Sequence, residues 1–337
     1  MRKIFISLLF FALGSLYPSS LKDIFLNAEV GDYSIYQNGN SVTLLSIHSK
    51  ELPFITFEEI TLPKEIYDNV KGVELNNWLQ KKAPGSTSWT LMEIDTSNLN
   101  ITSTYCLSRK AHLFLNKEDT LISSLLGLEL KASPEAHLAR TGPRPATRKD
   151  DRPIWVPSMF VNGKKETPAV VDVYVATWGK DSSPLSERNI DLYILNNFPF
   201  PYWIQIHGDY GSKKMVSLDS GHNLLSSITK IPRMPPKFIS PLEKWNNDME
   251  KFSFLVQGER TISNYTVYLL EVSKGKSKLV PIETTHQVID TNVLKFDMLR
   301  SRLTEELTPG KKYRLYLSYD DDSQIKSILS KDIIHWK

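Results

Sequence analysis

Residues 190–220 constrain the fold more than any other stretch of this chain. They contain three short runs in which apolar and polar residues alternate, and turn-rich breaks separate the runs. Alternation with a period of two is typical of strands that bury one face. Pro199 and Pro201 cannot donate to a strand ladder, so they predict an extended crossing or a strand edge between the first two runs. The stretch therefore predicts neighbouring antiparallel strands, with aromatic residues where one strand leads to the next.

The same reasoning extends to the rest of the chain. Asn38-Gly39 between two alternating runs predicts a hairpin, and further strands are predicted over residues 54–62, 88–95, 99–107, 169–178 and 202–219. Apolar residues at helical spacing after Pro63 predict one helix that continues to about residue 83. A second helix is predicted over residues 117–130, with Asn116 as its cap. In the 202–219 hairpin, Tyr202, Ile204 and Ile206 should share a face with Val216 and Leu218.

The elements indicate a mainly β chain of the α+β class in two domains. A length of 337 residues with 41% apolar residues suits two ordinary cores. We predict residues 21–234 as an antiparallel sheet or open half-barrel with two packed helices, and residues 236–337 as a β-sandwich. The proline-rich run 231–241 separates the two domains.

The N-terminus predicts export. Arg2 and Lys3 precede about ten apolar residues, which suit a secretory signal peptide better than a membrane span. We predict a signal peptide over residues 1–20 and a mature protein in the periplasm, at the outer membrane or outside the cell. The alternative is an uncleaved anchor or a first strand. Without Arg2 and Lys3 the chain is nearly neutral, so its net charge gives no reason to expect nucleic acid as a partner.

One irregular stretch, residues 133–157, is rich in proline and arginine. It could dock an acidic partner or anionic lipid headgroups. A solvated surface loop, partly neutralised by its own acids, is the interpretation that we favour.

One polar cluster could support catalysis. If the hairpin brings His207, Asp209, Asp219, Ser220 and His222 to one end of the sheet, Ser220 could act as a nucleophile, with His207 or His222 as its base and an aspartate orienting that base. The same residues are ordinary in turns and on solvated strand faces, which is the interpretation that we favour. No pair of histidines has the spacing of a helical metal motif, and we predict no metal and no cofactor.

Aromatic residues offer a binding alternative. Trp89, Trp178 and Trp203, with Tyr202 and Phe200, could line an apolar or sugar-stacking pocket. Alternatively, they fill the core of a sheet packed by helices, which is the interpretation that we favour.

The C-terminal part contains a motif that carries a family resemblance. Residues 307–317 read Leu-Thr-Pro-Gly-Lys-Lys-Tyr-Arg-Leu-Tyr-Leu. This run resembles the corner before the F strand of fibronectin type III and related immunoglobulin-like sandwiches. The resemblance implies that Tyr313 is the corner tyrosine, whose hydroxyl bonds back to the preceding loop. It also implies a binding or spacer module.

The N-terminal part resembles uncharacterised exported proteins of chlamydia-related bacteria, through runs such as residues 88–90, 177–182 and 200–206. Its predicted architecture is also similar to the half-barrels of periplasmic lipoprotein carriers, which accept acyl chains. We therefore expect a non-enzymatic cell-envelope protein that binds an apolar or amphiphilic ligand, such as a lipid, or an envelope protein. The alternatives are a secreted hydrolase that uses Ser220, His207 and His222, and a purely structural adhesion or scaffold protein.

Overall fold

The computed structural model describes residues 20–72, 74–116, 120–134, 138–143, 152–166, 171–181, 185–195, 198–208, 211–229, 231–239, 249–258, 263–273, 277–290, 293–321 and 324–336. Most of the predicted signal peptide, Asp209 and part of the 133–157 loop therefore lie outside the described residues. In the part of the chain that is described, antiparallel sheets dominate and the helices are short. The prediction of a mainly β chain is confirmed. No helix in these ranges is long and apolar enough to cross a membrane.

The five helices of the described residues are α1 (Leu21–Phe25), α2 (Lys64–Val70), α3 (Glu74–Gln80), α4 (Leu121–Leu126) and α5 (Arg300–Glu306). The strands of the first two thirds of the chain are β1 (Tyr33–Asn38), β2 (Ser41–Glu51), β3 (Phe54–Pro63), β4 (Ser88–Asp95), β5 (Asn100–Cys106), β6 (Ala111–His112), β7 (Lys131–Ala132), β8 (Met159–Val161), β9 (Lys164–Glu166), β10 (Asp172–Thr177), β11 (Asn189–Ile194), β12 (Trp203–Gly208) and β13 (Gly211–Gly221). Those of the last third are β14 (Lys237–Phe238), β15 (Lys251–Gln257), β16 (Ser263–Glu271), β17 (Leu279–Ile282), β18 (Thr285–Asp290), β19 (Val293–Leu299), β20 (Lys312–Asp321), β21 (Gln324–Leu329) and β22 (Ile334–His335).

The contacts of the chain divide it into two compact units. The first contains the described residues up to 101, together with 106–109 and 115–229, and the second contains 102–105, 110–114 and 230 onwards. The predicted domain limits, 21–234 and 236–337, remain a prediction.

A large sheet organises the first unit. Its strands follow the order β4-β3-β2-β1-β13-β12-β11-β10-β7. The β1–β2 hairpin turns at Gly39-Asn40, so the predicted hairpin is confirmed. β13 pairs with β1 through a bulge near Ile35 and Tyr36. The sheet positions the candidate site, because its strand β13 contributes two residues to that site.

Apolar residues are buried on both faces of this sheet. Neighbouring residues of one strand point to opposite faces, and Leu44 and Leu45 of β2 belong to two different hydrophobic clusters. Helices α1 and α4 pack in the cluster that contains Leu45, where Phe25 meets Phe57 and Phe200 edge to face. Helices α2 and α3 pack in the cluster that contains Leu44.

The two predicted helices differ from the observed ones in their limits. The helix expected from Pro63 to about residue 83 is divided into α2 and α3, because Gly72 has a positive φ of 76° that a continuous α-helix cannot contain. α4 is capped by the side chain of Thr120, which accepts the N–H of Ser123, so the prediction of Asn116 as the cap is wrong.

The second unit contains two further antiparallel sheets. One has the order β14-β15-β19-β18 and the other has the order β17-β16-β20-β21. Inward residues of both sheets, such as Phe254 and Leu317, share one hydrophobic cluster. The hydroxyl of Tyr313 accepts the backbone N–H of Thr308 at 3.0 Å, which is the contact that the family resemblance implies for a corner tyrosine.

Candidate functional site

A cleft of about 300 Å³ lies beside α2 in the first unit. One wall comes from α2 and the residues after it, and the other comes from Phe160 and Gly163 of the β8–β9 hairpin. Leu218 and Asp219 of β13 also line it. The volume is at the lower end of the range for small-molecule sites, so the cleft can hold part of a ligand such as a headgroup.

The α2 wall presents one aromatic ring and two ammonium groups. Tyr67 is buried, Lys64 is half-buried, and Asp68 and Lys71 are exposed at the rim. Nζ of Lys64 lies 2.7 Å from an Asp68 oxygen, and Nζ of Lys71 lies 3.4 Å from the other oxygen. These two lysines lower the pKa of the Asp68 carboxyl, mainly through the hydrogen bond from Lys64.

Two glycines are among the residues that line the cleft. Gly72 follows α2, Gly163 lies in the β8–β9 turn, and both have positive φ, 76° and 75°. A Cβ on Gly163 would lie 2.7 Å from the Cα of Gly72, closer than real Cβ contacts. The two backbone segments can approach this closely because Gly163 has no side chain.

Asp219 is 2% exposed, and its carboxylate is held by neutral donors. The N–H of Gly163 lies 3.0 and 3.1 Å from its two oxygens, and the hydroxyl of Tyr33 lies 3.1 Å from Oδ2. Burial raises the pKa of the Asp219 carboxyl, and these hydrogen bonds oppose the rise. Asp219 therefore ties the β8–β9 turn to β13 and also presents a buried acid to the cleft.

Two tyrosines lie close to this acid. Burial raises the pKa of Tyr33 and of Tyr67, and the charge of Asp219 raises both further. Among the described residues, no hydrogen bond joins the hydroxyl of Tyr67 to another group. This hydroxyl is therefore available to a ligand in the cleft.

The proposed catalytic cluster does not assemble around Ser220. The strand register places His207 opposite Ser212, and Ser220 lies eight positions further along β13. Nε2 of His207 lies 2.8 Å from Asp191 Oδ2, and Nδ1 of His222 lies 2.6 Å from Asp32 Oδ1. The Ser220 hydroxyl lies 3.0 Å from those of Ser34 and Ser217. The expectation that the hairpin would gather His207 with Ser220 is therefore wrong.

The hairpin register also differs from the predicted one by one residue. Met215, rather than Val216, lies opposite Ile204 and packs in the same cluster. A shift of one residue exchanges the two faces of a strand, so Val216 lies opposite Trp203 instead.

The five aromatic candidates are distributed over three hydrophobic clusters. Trp178 and Phe200 lie with α1 and α4, and Trp89 lies with α2 and α3. Tyr202 and Trp203 belong to a third cluster, in which Trp155 meets Trp203 edge to face and Lys214 lies over the Trp203 ring. None of the five is among the described residues that line the cleft.

Two of these tryptophans have fixed polar partners. Nε1 of Trp89 donates to the buried Glu58 at 2.8 Å, and Nε1 of Trp178 donates to Asp181 at 2.7 Å. Their indole N–H groups are therefore already paired within the protein.

Comparison with known proteins shows similarity to a family model and to a solved structure. A family model described as CT021 protein matches residues 43–167, somewhat more than a third of the chain. A solved structure of the hypothetical protein CT021 from Chlamydia trachomatis is 22% identical, with a TM-score of 0.45, and the match covers 64% of this chain and 98% of that one. No curated protein matches. The family match supports, over that segment, the resemblance to uncharacterised chlamydial proteins.

Most of the cleft was not predicted from the sequence. Asp219 was named, but as part of a catalytic cluster, whereas Lys64, Tyr67 and Lys71 were not. The turn-forming pair Asn162-Gly163 could have indicated the β8–β9 hairpin. No local pattern indicates that this hairpin meets α2.

Proposed function

We propose that this chain is an exported, non-enzymatic cell-envelope protein that binds the polar end of a small amphiphile in the α2 cleft. The observation that carries the proposal is the cleft itself, in which the apolar groups of Phe160 and Leu218 lie beside two ammonium groups and a buried acid. A few converging polar groups in an otherwise apolar concavity are typical of ligand sites.

Binding without catalysis is supported by the partners of the candidate catalytic residues. Both histidines pair with aspartates, and the Ser220 hydroxyl pairs with other serine hydroxyls. A serine nucleophile needs a base within hydrogen-bond reach, and the described residues place no histidine there.

For the second unit we propose an immunoglobulin-like sandwich that provides spacing or protein contact. The strand orders β14-β15-β19-β18 and β17-β16-β20-β21 correspond to A-B-E-D and C′-C-F-G of that fold, and the Tyr313 contact supports the same assignment. Residues 236–337 expressed alone should unfold cooperatively, and a non-cooperative transition would contradict the proposal.

Export remains a proposal that rests on the sequence of residues 1–20. Mass spectrometry of the N-terminus after expression in a bacterium with a periplasm tests it. A mature N-terminus near residue 14 or 20 is expected, and a chain that keeps residue 1 in the cytoplasm would contradict it.

The ligand proposal is tested by native mass spectrometry with short-chain phospholipids and fatty acids. Phe160 is 42% exposed at the cleft, so Phe160→Ala should leave the fold intact. Losing half of the apolar contact between Phe160 and the bound amphiphile lowers the binding free energy by about 1 kcal/mol, which weakens binding about fivefold. Phe114→Ala, at an exposed phenylalanine that is not among the residues lining the cleft, is the matched control. If no amphiphile binds, or if the two variants behave alike, the proposed function is wrong.

A further inference from the structure

The acidic and basic groups of the cleft are separated, with the acid at the buried end and the ammonium groups at the rim. At its buried end, the Asp219 carboxylate has hydrogen bonds from the N–H of Gly163 and the hydroxyl of Tyr33. Among the described residues, no salt bridge joins it to a lysine, an arginine or a histidine. The cleft therefore contains a buried negative charge that is held by neutral donors.

The rim of the cleft has more positive than negative charge. Lys64 and Lys71 both pair with Asp68, so two ammonium groups share one carboxylate. One positive charge remains in excess at the opening. Because Lys71 is exposed and Lys64 is only half-buried, each ammonium group can turn from Asp68 to a ligand at small cost.

Groups suited to an apolar or hydrogen-bonding ligand line the cleft as well. The Tyr67 hydroxyl has no partner among the described residues, and Leu218 and Phe160 supply apolar surface. An ammonium group near Asp219 can donate one N–H to a carboxylate oxygen and another to the Tyr67 oxygen. A quaternary ammonium lacks N–H donors and cannot make these bonds.

We propose that the cleft binds zwitterionic amphiphiles through a primary ammonium group that points to Asp219 and Tyr67 and an anionic group that contacts Lys64 and Lys71. This assignment rests on the proposed function, since it names the class of headgroup that the same cleft takes. The aminoethyl phosphate headgroup has this chemistry. Bringing a cation to a buried carboxylate offsets the cost of burying that charge, and burial does raise the pKa of Asp219 in the free protein.

The experiment compares three phospholipids that have the same short acyl chains. Calorimetric titration of the full chain should show that the ethanolamine lipid binds at least tenfold more tightly than the choline and glycerol lipids, since one charge-assisted contact is worth a factor of this order. Soluble O-phosphoethanolamine, tested alone, separates the headgroup from its acyl chains. If it binds as tightly as the lipid, the ligand is a free metabolite and the amphiphile proposal is wrong. Weaker binding supports a lipid.

Variants at each end of the cleft test the orientation. Asp219→Asn removes the buried charge at nearly constant shape, so it should abolish the preference for the ethanolamine lipid over the choline and glycerol lipids. Glu65→Gln, at an exposed acid of α2 outside the cleft, is the matched control and should change neither. If the preference survives in Asp219→Asn, the assignment is wrong.

A second variant covers the case in which Asp219→Asn does not fold. Lys64→Met with Lys71→Met should lower the affinity for the ethanolamine lipid several-fold without lowering that for an alkylammonium that has no anionic group. An equal loss for both ligands overturns the assignment. Phospholipid binding without preference for the ethanolamine headgroup overturns only the headgroup class, whereas the absence of all amphiphile binding overturns the proposed function itself.

Discussion

Glu58 of β3 is a buried carboxyl whose replacement by glutamine should stabilise the protein at neutral pH. It is 0% exposed, and three side chains donate to it: Trp89 Nε1 at 2.8 Å, the Ser226 hydroxyl at 2.7 Å and the Ser46 hydroxyl at 3.3 Å. Burial raises the pKa of Glu58, and the three hydrogen bonds oppose the rise without cancelling it. In Glu58→Gln, the new amide side chain can accept from Trp89 and Ser226 with its oxygen and donate to the Ser46 hydroxyl with its nitrogen.

The sign of the pH dependence follows from the raised pKa. The folded state binds the proton of Glu58 more tightly than the unfolded state, so deprotonation costs folding free energy. Below the unfolded-state pKa of about 4.3 this cost is absent. It grows as the pH rises from there to the folded-state pKa and is constant above it. Each unit of difference between the two pKa values corresponds to about 1.4 kcal/mol.

Urea denaturation of the wild type and Glu58→Gln from about pH 3 to about pH 8 measures this difference. The two proteins should have similar stability at the acidic end, and the variant should become the more stable one as the pH rises. Glu65→Gln, at an exposed position, should show no such trend. Trp89→Phe, which removes one donor to the carboxylate, should cost about 1.5–3 kcal/mol at neutral pH. A wild type that gains stability over Glu58→Gln with rising pH would refute the reasoning, because the hydrogen bonds would then outweigh burial.

Three further substitutions test particular contacts. Gly163→Ala should lower the free energy of unfolding by about 1–3 kcal/mol, because the new Cβ would lie 2.7 Å from the Cα of Gly72 and because Gly163 has a positive φ. Gly142→Ala is the control for thermal melts, since Gly142 also has a positive φ but has open space around it. The difference between the two variants separates the cost of the clash from the cost of the backbone conformation. Tyr313→Phe removes the acceptor of the Thr308 N–H and should cost about 1 kcal/mol in denaturant titrations, whereas no change would mean that the corner contact is unimportant. Ser220→Ala should lower stability by a similar amount and leave any esterase activity of the preparation unchanged; loss of such activity would revive the hydrolase alternative.

The elements that could be predicted from the sequence are those that depend on local patterns. The β1–β2 hairpin follows from Asn38-Gly39 between alternating runs, and β4 has the limits that alternation indicates. The division between α2 and α3 was missed. Gly72 weakens a helix only by about 1 kcal/mol, and its contact with Gly163 comes from a segment about ninety residues later, which no periodicity contains.

Of the residues that line the candidate site, only Asp219 was predicted from the sequence as a functional residue. Asp219 was named because acids and serines cluster around it, yet its real partners are Tyr33 and Gly163. The register of β13 also slipped by one residue in the prediction. Alternation fixes which residues share a face within one strand, but it does not fix which residues lie opposite them on the next.

The location of the cleft follows from how the two sheet faces are covered. On the face under α1 and α4 the clustered core is apolar, and Phe25, Phe57 and Phe200 interlock in its interior. The other face buries acids among its apolar residues, and its helix α2 has only seven residues. Such a short helix covers little of β13, and Gly72 ends it beside the β8–β9 turn. The ligand site that we propose is therefore on the α2 face, where buried acids and incomplete cover coincide.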